Sequence, residues 1–249
     1  LNIQLTNNYA FRKTFKNTYI AKGFLMALLG LKEDEIADLK VTDPFEEGES
    51  EQEKEGILDV KIYLNNNKKI NIEMQNRYQN DWTERSLFYN CRMFTDGFYH
   101  GQSYGELEPC IHIGILDFNL MRSQGFHHHI KLLDIKTNEE YSSKLQFHVV
   151  QLKQIESATE EEKQTAKDWQ QVEEIIRGNP YREAVKQEMY KMSRDEKERY
   201  LYLREEMAVS DEVSRMRTAI KEGIKEGEKR GIKLTKKVFQ LSQKGCTIA

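Results

Sequence analysis

Residues 57–75 read ILDVKIYLNNNKKINIEMQ, two alternating runs around an Asn-rich turn. Leu58, Val60, Ile62 and Leu64 place an apolar side chain at every second position, and Ile70, Ile72 and Met74 resume the pattern beyond Asn65–Lys69. Alternation of this kind predicts two half-buried strands, and Asn tolerates the backbone of a tight connection. With Leu64 set opposite Ile70, antiparallel pairing puts Ile62 against Ile72, Asp59 against Gln75 and Glu73 against Lys61. Asp59 and Glu73 then lie diagonally, roughly 7–8 Å apart. Two carboxylates and an amide share the polar face. Two readings of that face stand open: a site for a hard divalent cation, which takes oxygen ligands, or a solvated surface on which Lys61 neutralises Glu73.

Working outward, Thr6–Gly30 predicts one helix, with Phe11, Phe15, Phe24, Leu25, Leu28 and Leu29 as its apolar stripe. Thr6 or Asn7 supplies the cap and Gly30 the stop. Leu39–Thr42 predicts a short first strand. After the hairpin, Asp81–His100 predicts a helix burying Trp82, Leu87, Phe88, Cys91 and Phe94. Arg85, Tyr89 and Arg92 form a separate stripe on it. Pro109–Phe118 is an apolar strand. Strand, helix, strand in this order is a crossover that makes the two strands parallel. A second hairpin pairs 126–133 with 145–152 around Thr137, Asn138 and Glu139. Beyond Ile155 the chain turns polar and helical, over 159–177, 180–192 and 193–207, with Ser193 as a cap. The fold class is α/β, a mixed sheet flanked by helices. The expected division is a domain over 1–155 and a mostly helical region over 156–249.

The charged groups number 38 Lys and Arg against 41 Asp and Glu, a net charge of −3, so the chain as a whole is no polyanion sponge. The distribution is uneven: Arg215, Arg217, Lys221, Lys225, Lys229, Arg230, Lys233, Lys236 and Lys237 crowd residues 213–237. Within them Gly223, Gly227 and Gly231 recur at a spacing of four among charged residues, the mark of a solvated or partner-seeking helix. Assembly into a homo-oligomer through these C-terminal helices predicts loss of self-association when 209–249 are deleted. Cys91, Cys110 and Cys246 lie far apart without a CxxC, as for reduced thiols in a cytoplasm. No run approaches the ~18 apolar residues of a membrane span, and no signal-peptide pattern opens the sequence. The expected location is cytoplasmic.

Asp59, Glu73 and Gln75 form the leading chemical constellation. Two carboxylates fix a cation, the cation polarises a phosphate and activates a water, and a polar residue two positions on steadies that water. Arg77, Arg85 and Arg92 are candidate phosphate contacts, since the guanidinium meets phosphate with paired donors. Paired with surface carboxylates instead, they would be structural. The run His127, His128, His129 alternates faces on a strand, which disfavours a metal. His112 sits in an apolar run and reads as a satisfied interior histidine.

Segments 5–15 (LTNNYAFRKTF), 58–60 (LDV), 70–75 (INIEMQ), 84–94 (ERSLFYNCRMF), 104–118 (YGELEPCIHIGILDF) and 147–152 (FHVVQL) resemble, in order, the recombination-promoting nuclease (Rpn) family of transposase-like proteins. That family falls within the PD-(D/E)XK nuclease superfamily. The resemblance implies a restriction-endonuclease-like α-β-β-β-α-β core and Mg²⁺-dependent cutting of double-stranded DNA, with Mn²⁺ as a substitute ion. It also implies a part in DNA recombination. On it, Asp59 and Glu73 match the metal-binding acids, and Gln75 stands where the superfamily name has Lys. Asn8 stands where the family usually shows Asp. Those two departures motivate an alternative: a nuclease-fold protein that binds nucleic acid or assembles without cutting.

Overall fold

The computed structural model describes residues 1–36, 39–42, 60–64, 68–123, 125–154 and 180–243. Asp59 and the helix expected over 159–177 lie outside them. The described elements run α1 (Asn8–Phe15), α2 (Thr18–Leu29), β1 (Leu39–Thr42), β2 (Val60–Leu64), β3 (Lys69–Gln75), α3 (Trp82–Thr95), β4 (Cys110–Leu116), β5 (His127–Leu133), β6 (Glu140–Gln151), α4 (Pro180–Arg194) and α5 (Glu196–Gln243). The six strands make one sheet in the order β1-β2-β3-β4-β6-β5. β3, β4 and β6 are mutually parallel, and the outer pairs are antiparallel. This is the mixed sheet and the β3–α3–β4 crossover expected from the alternation pattern.

The single helix expected at the start is two. Asn17 interrupts it: its side chain accepts from the Tyr19 amide and starts α2, as Asn7 starts α1 by accepting from Ala10. Gly30 ends α2 in the left-handed conformation, φ 64°, which glycine adopts without a Cβ clash. Phe11, Leu25 and Ile36 pack with Ile62, Ile70, Ile72 and Ile113 into the main core on this face of the sheet. The second hairpin turns through Asn138 at φ 58°. Further on, Asp195 rather than Ser193 caps α5, accepting from the Glu198 amide at 2.8 Å, while Ser193 bonds back to Tyr190 within α4.

The hairpin register differs from the expected one by two residues. Val60 pairs with Ile72, Lys61 with Asn71 and Ile62 with Ile70. A slip of two preserves which side chains face the core, so the apolar pattern alone does not discriminate between them. The turn decides: the Leu64 amide donates to the Lys68 carbonyl at 3.0 Å and closes the hairpin early. Lys61 therefore stands opposite Asn71 and not Glu73.

The face of α3 that meets the sheet also differs. Trp82, Ser86, Tyr89, Asn90 and Met93 are buried, while Leu87 is 47% and Phe88 59% exposed and Cys91 lies outward. The reason lies underneath. β3 presents Lys69, Asn71 and Glu73 to the helix and β4 presents His112, so polar groups on α3 are the ones that find partners. Asn90 donates to the Gln146 carbonyl at 3.1 Å. Lys69, itself buried, donates to the Met93 and Asp96 carbonyls at the C-terminal end of α3 and pairs with Glu108 at 3.4 Å. A cation at that end satisfies orphan carbonyls and the helix dipole together.

At the β5 edge, His127 and His129 share a face with His148 of β6, and His128 turns to the other side. His127 Nε2 lies 2.9 Å from His148 Nδ1, and the His129 and His148 rings stack at 4.1 Å. Stacked rings do not converge their lone pairs on one point, and among the described residues no group of three His, Cys, Asp or Glu is placed to hold a metal. Burial, then the neighbouring imidazoles, push His127 down to about 4 and His148 to about 3 from 6.5. Between those values the unfolded chain binds more protons than the folded one, so stability falls as pH drops from 6.5 toward 4. The thermal midpoint is expected to decline across that window, and His148→Gln to flatten the decline. A midpoint independent of pH there would count against it.

The chain forms two compact units, Leu1–Tyr202 and Leu203–Ala249. In the first, α4 and the beginning of α5 close over α1: Tyr9 donates to Glu198 at 2.6 Å, and Met192 and Tyr202 pack with Ile3 and Ala10. In the second, described through Gln243, α5 carries its apolar residues exposed. Ile220, Ile224, Leu234 and Phe239 face solvent, and a Cβ on Gly223, Gly227 or Gly231 would meet open space. No described helix is long and apolar enough to cross a membrane.

Candidate functional site

On the polar face of β3, Asn71 and Glu73 are enclosed rather than solvated. Glu73 is 3% exposed, under α3 and between two strands of the sheet. Its partner is Arg85, not Lys61: Arg85 Nε donates to Glu73 Oε1 at 3.0 Å, and the guanidinium lies 4.9 Å over the Tyr89 ring. Arg85 and Tyr89 are one helical turn apart, so the ring supports the cation from its own helix. The second carboxylate oxygen, Oε2, is buried without a hydrogen-bond partner. His112 Nε2 approaches it to 3.9 Å and is itself unpartnered. On the far side of the ring, Asn71 Nδ2 lies 3.0 Å from His112 Nδ1.

Burial raises the Glu73 acid above the ordinary carboxylate range, and Arg85 opposes that by charge and by hydrogen bond. His112 is driven down to about 3, first by burial and then by Arg85. Its approach to Glu73 is accordingly that of a neutral ring to a carboxylate and not an ion pair.

Gly114 is the register partner of Glu73 on β4. It is glycine for a packing reason: the Trp82 ring lies on it, and a Cβ there would come within 2.2 Å of Trp82 Cζ2. That knob seats the first turn of α3 on the sheet and so places Arg85, less than one turn on, beside Glu73.

Gln75, two residues on from Glu73, is half-buried at the strand's end, where its carbonyl accepts from the Asp117 amide at 2.9 Å. The entrance to α1 is tied to the same end: Asn76 donates to the Thr6 carbonyl at 3.2 Å. Asn8 is the first residue of α1, one past the cap Asn7, and its Oδ1 is buried without a partner. It therefore does not cap the helix. Among the candidate phosphate contacts, Arg85 is committed to Glu73, Arg92 lies on the exposed side of α3, and Arg77 sits half-buried in the turn after β3. Asp59 precedes Val60 directly in sequence, and Val60 pairs with Ile72, the neighbour of Glu73.

A hard cation suits this donor set. Glu73 offers one carboxylate oxygen with no partner, and Gln75 an amide oxygen at the strand's carboxyl end, the end at which open α/β sheets bind ligands. Among the described residues no three His, Cys, Asp or Glu are gathered to hold a metal of either kind. The sequence singled out Glu73 and Gln75 and placed Trp82 and His112 inside, but His112 is satisfied at one nitrogen only, and Asn71 and Gly114 were missed. Asn71 was detectable, lying two residues before Glu73 and hence on its face.

A family model described as PD-(D/E)XK nuclease family transposase matches residues 5–219. No curated protein and no solved structure matches the chain.

Proposed function

Because this chain belongs to the PD-(D/E)XK nuclease family of transposases, with a restriction-endonuclease-like fold, we propose that it is a Mg²⁺-dependent endodeoxyribonuclease acting on double-stranded DNA. The observation that carries the reading is Glu73: a carboxylate fixed at one oxygen by Arg85 and unpartnered at the other, near the carboxyl ends of parallel strands. Asp59 and Glu73 are the residues that would hold the ion. A bound cation supplies Lewis acidity toward a phosphate and lowers the pKa of a water. Gln75 orients that water, its amide offering both a donor and an acceptor. Arg85 fixes the Glu73 carboxylate; Arg77, Arg92 and the basic stretch 213–237 contact the DNA backbone, which sets affinity without reading sequence.

Plasmid nicking with Mg²⁺ tests the proposal, Mn²⁺ serving as a second ion. The intact chain is expected to cut and Asp59→Ala to leave the plasmid closed. Equal cutting by both would remove Asp59 from the site. The enclosure of Glu73 by Arg85 favours one other reading, a nuclease-fold protein that binds DNA without cutting. Binding that weakens steeply with salt, with no cleavage under any divalent ion, would decide for that second reading.

A further inference from the structure

We propose that His112 is a positioning residue for Glu73: as the Nε2–H tautomer, set by Asn71, it holds the carboxylate oxygen that Arg85 leaves bare. The proposal rests on the reading of Glu73 as a cation ligand. Its geometry comes from strand register. Asn71 and Glu73 lie two apart on one face of β3, and His112 is the β4 partner of Asn71. Three polar side chains are thus brought together by two neighbouring strands, beneath a helix that excludes water.

Arg85 takes Oε1, so Oε2 is left with no donor. His112 Nε2 stands 3.9 Å from it, also without a partner. A buried polar atom left unpaired is costly, and here there are two. A closure of about 1 Å brings them to hydrogen-bond distance and satisfies both at once. The proton must sit on Nε2 for this to work. Asn71 places its amide nitrogen 3.0 Å from Nδ1, and a ring nitrogen that accepts carries no proton, so the other carries it. The opposite orientation of the Asn71 amide would turn the Nε2 lone pair toward a carboxylate already held by Arg85, which is repulsive. The Trp82 and Phe147 rings lie beside it at centroid distances of 5.8 and 6.2 Å. His112 does not touch DNA in this arrangement. It fixes the rotamer of Glu73 from the buried side while Arg85 fixes it from the helix.

Titration of the full chain with Mn²⁺, with free ion followed by electron paramagnetic resonance, tests the role. His112→Phe is expected to weaken Mn²⁺ binding about 10–100-fold, the usual cost of losing a ligand's supporting partner, and His112→Gln, which keeps an N–H, to return within about threefold of the parent. Binding by the Phe variant equal to that of the intact chain overturns the proposal. A structural role alone would not be rescued by Gln. Should His112→Phe fail to fold, long-range proton–nitrogen correlation spectra of the intact, metal-free chain decide: an Nε2–H tautomer that is lost in Asn71→Leu supports the assignment, and an Nδ1–H tautomer overturns it. An intact chain that binds no Mn²⁺ removes the cation reading of Glu73, and the metal-free tautomer then judges the His112 hydrogen bond by itself.

Discussion

Glu73→Gln is expected to cut Mg²⁺-dependent DNA cleavage by about a thousandfold, roughly 4 kcal/mol of transition-state stabilisation. The substitution keeps shape and removes charge. Its amide oxygen still accepts from Arg85 Nε, so α3 keeps its seat, while a cation held there would lose one of its two proposed carboxylates. The fold is expected to tolerate the change. Burial is the larger influence on Glu73 and works against its charged form, so a neutral group in its place relieves that cost even as Arg85 loses an ionic partner. Thermal unfolding of the variant should match or exceed the parent while plasmid nicking disappears. Loss of both together would mean that Glu73 serves the fold, and retention of nicking would mean that it serves neither.

The second large effect is on stability. Gly114→Ala drives a methyl group into the Trp82 ring, whose Cζ2 and Cη2 would lie 2.2 and 2.6 Å away. Neither side yields easily. Gly114 belongs to a strand buried along its length and Trp82 is 2% exposed. Overpacking of this kind costs about 1–3 kcal/mol, and the upper end is expected because the obstacle is a rigid indole. Displacing Trp82 also lifts the turn that carries Arg85, so cleavage should fall with stability. Urea unfolding of Gly114→Ala, alone and with Trp82→Leu, checks the cause: the second change frees the space and should recover part of the loss. A single variant within about 0.5 kcal/mol of the parent would show that the ring moves aside.

Much of the sheet was readable because its signals are local. Alternation marked the hairpin, the crossover rule made β3 and β4 parallel, and Gly30 announced the end of α2. The same alternation set Glu73 on the strand face away from Ile70, Ile72 and Met74. What failed had non-local causes. Two registers of the hairpin bury the same apolar residues, and a backbone bond from Leu64 to Lys68 chose between them. Leu87, Phe88 and Cys91 formed a convincing apolar face, yet α3 lies on a polar patch of the sheet, which no pattern within the helix discloses. Arg85 stood open as a phosphate contact or the partner of a carboxylate, and the sequence did not name that carboxylate because it is twelve residues back and on another element. Gly114 carries no periodic signal at all; only the ring above it explains it.

Lys69 and Glu73 stand at the first and fifth positions of one strand and grip the same helix, one at its terminal carbonyls and the other through Arg85. Trp82 over Gly114 adds a third fastening. A slide of α3 by one turn, about 5.4 Å, would undo all three together. Helix and strand consequently behave as one rigid piece. Access to Glu73 does not then call for a hinge or a shifting helix: any adjustment falls to side-chain rotamers, on their fast timescale rather than that of collective motion. A cation arriving at Glu73 would meet a scaffold that stays still.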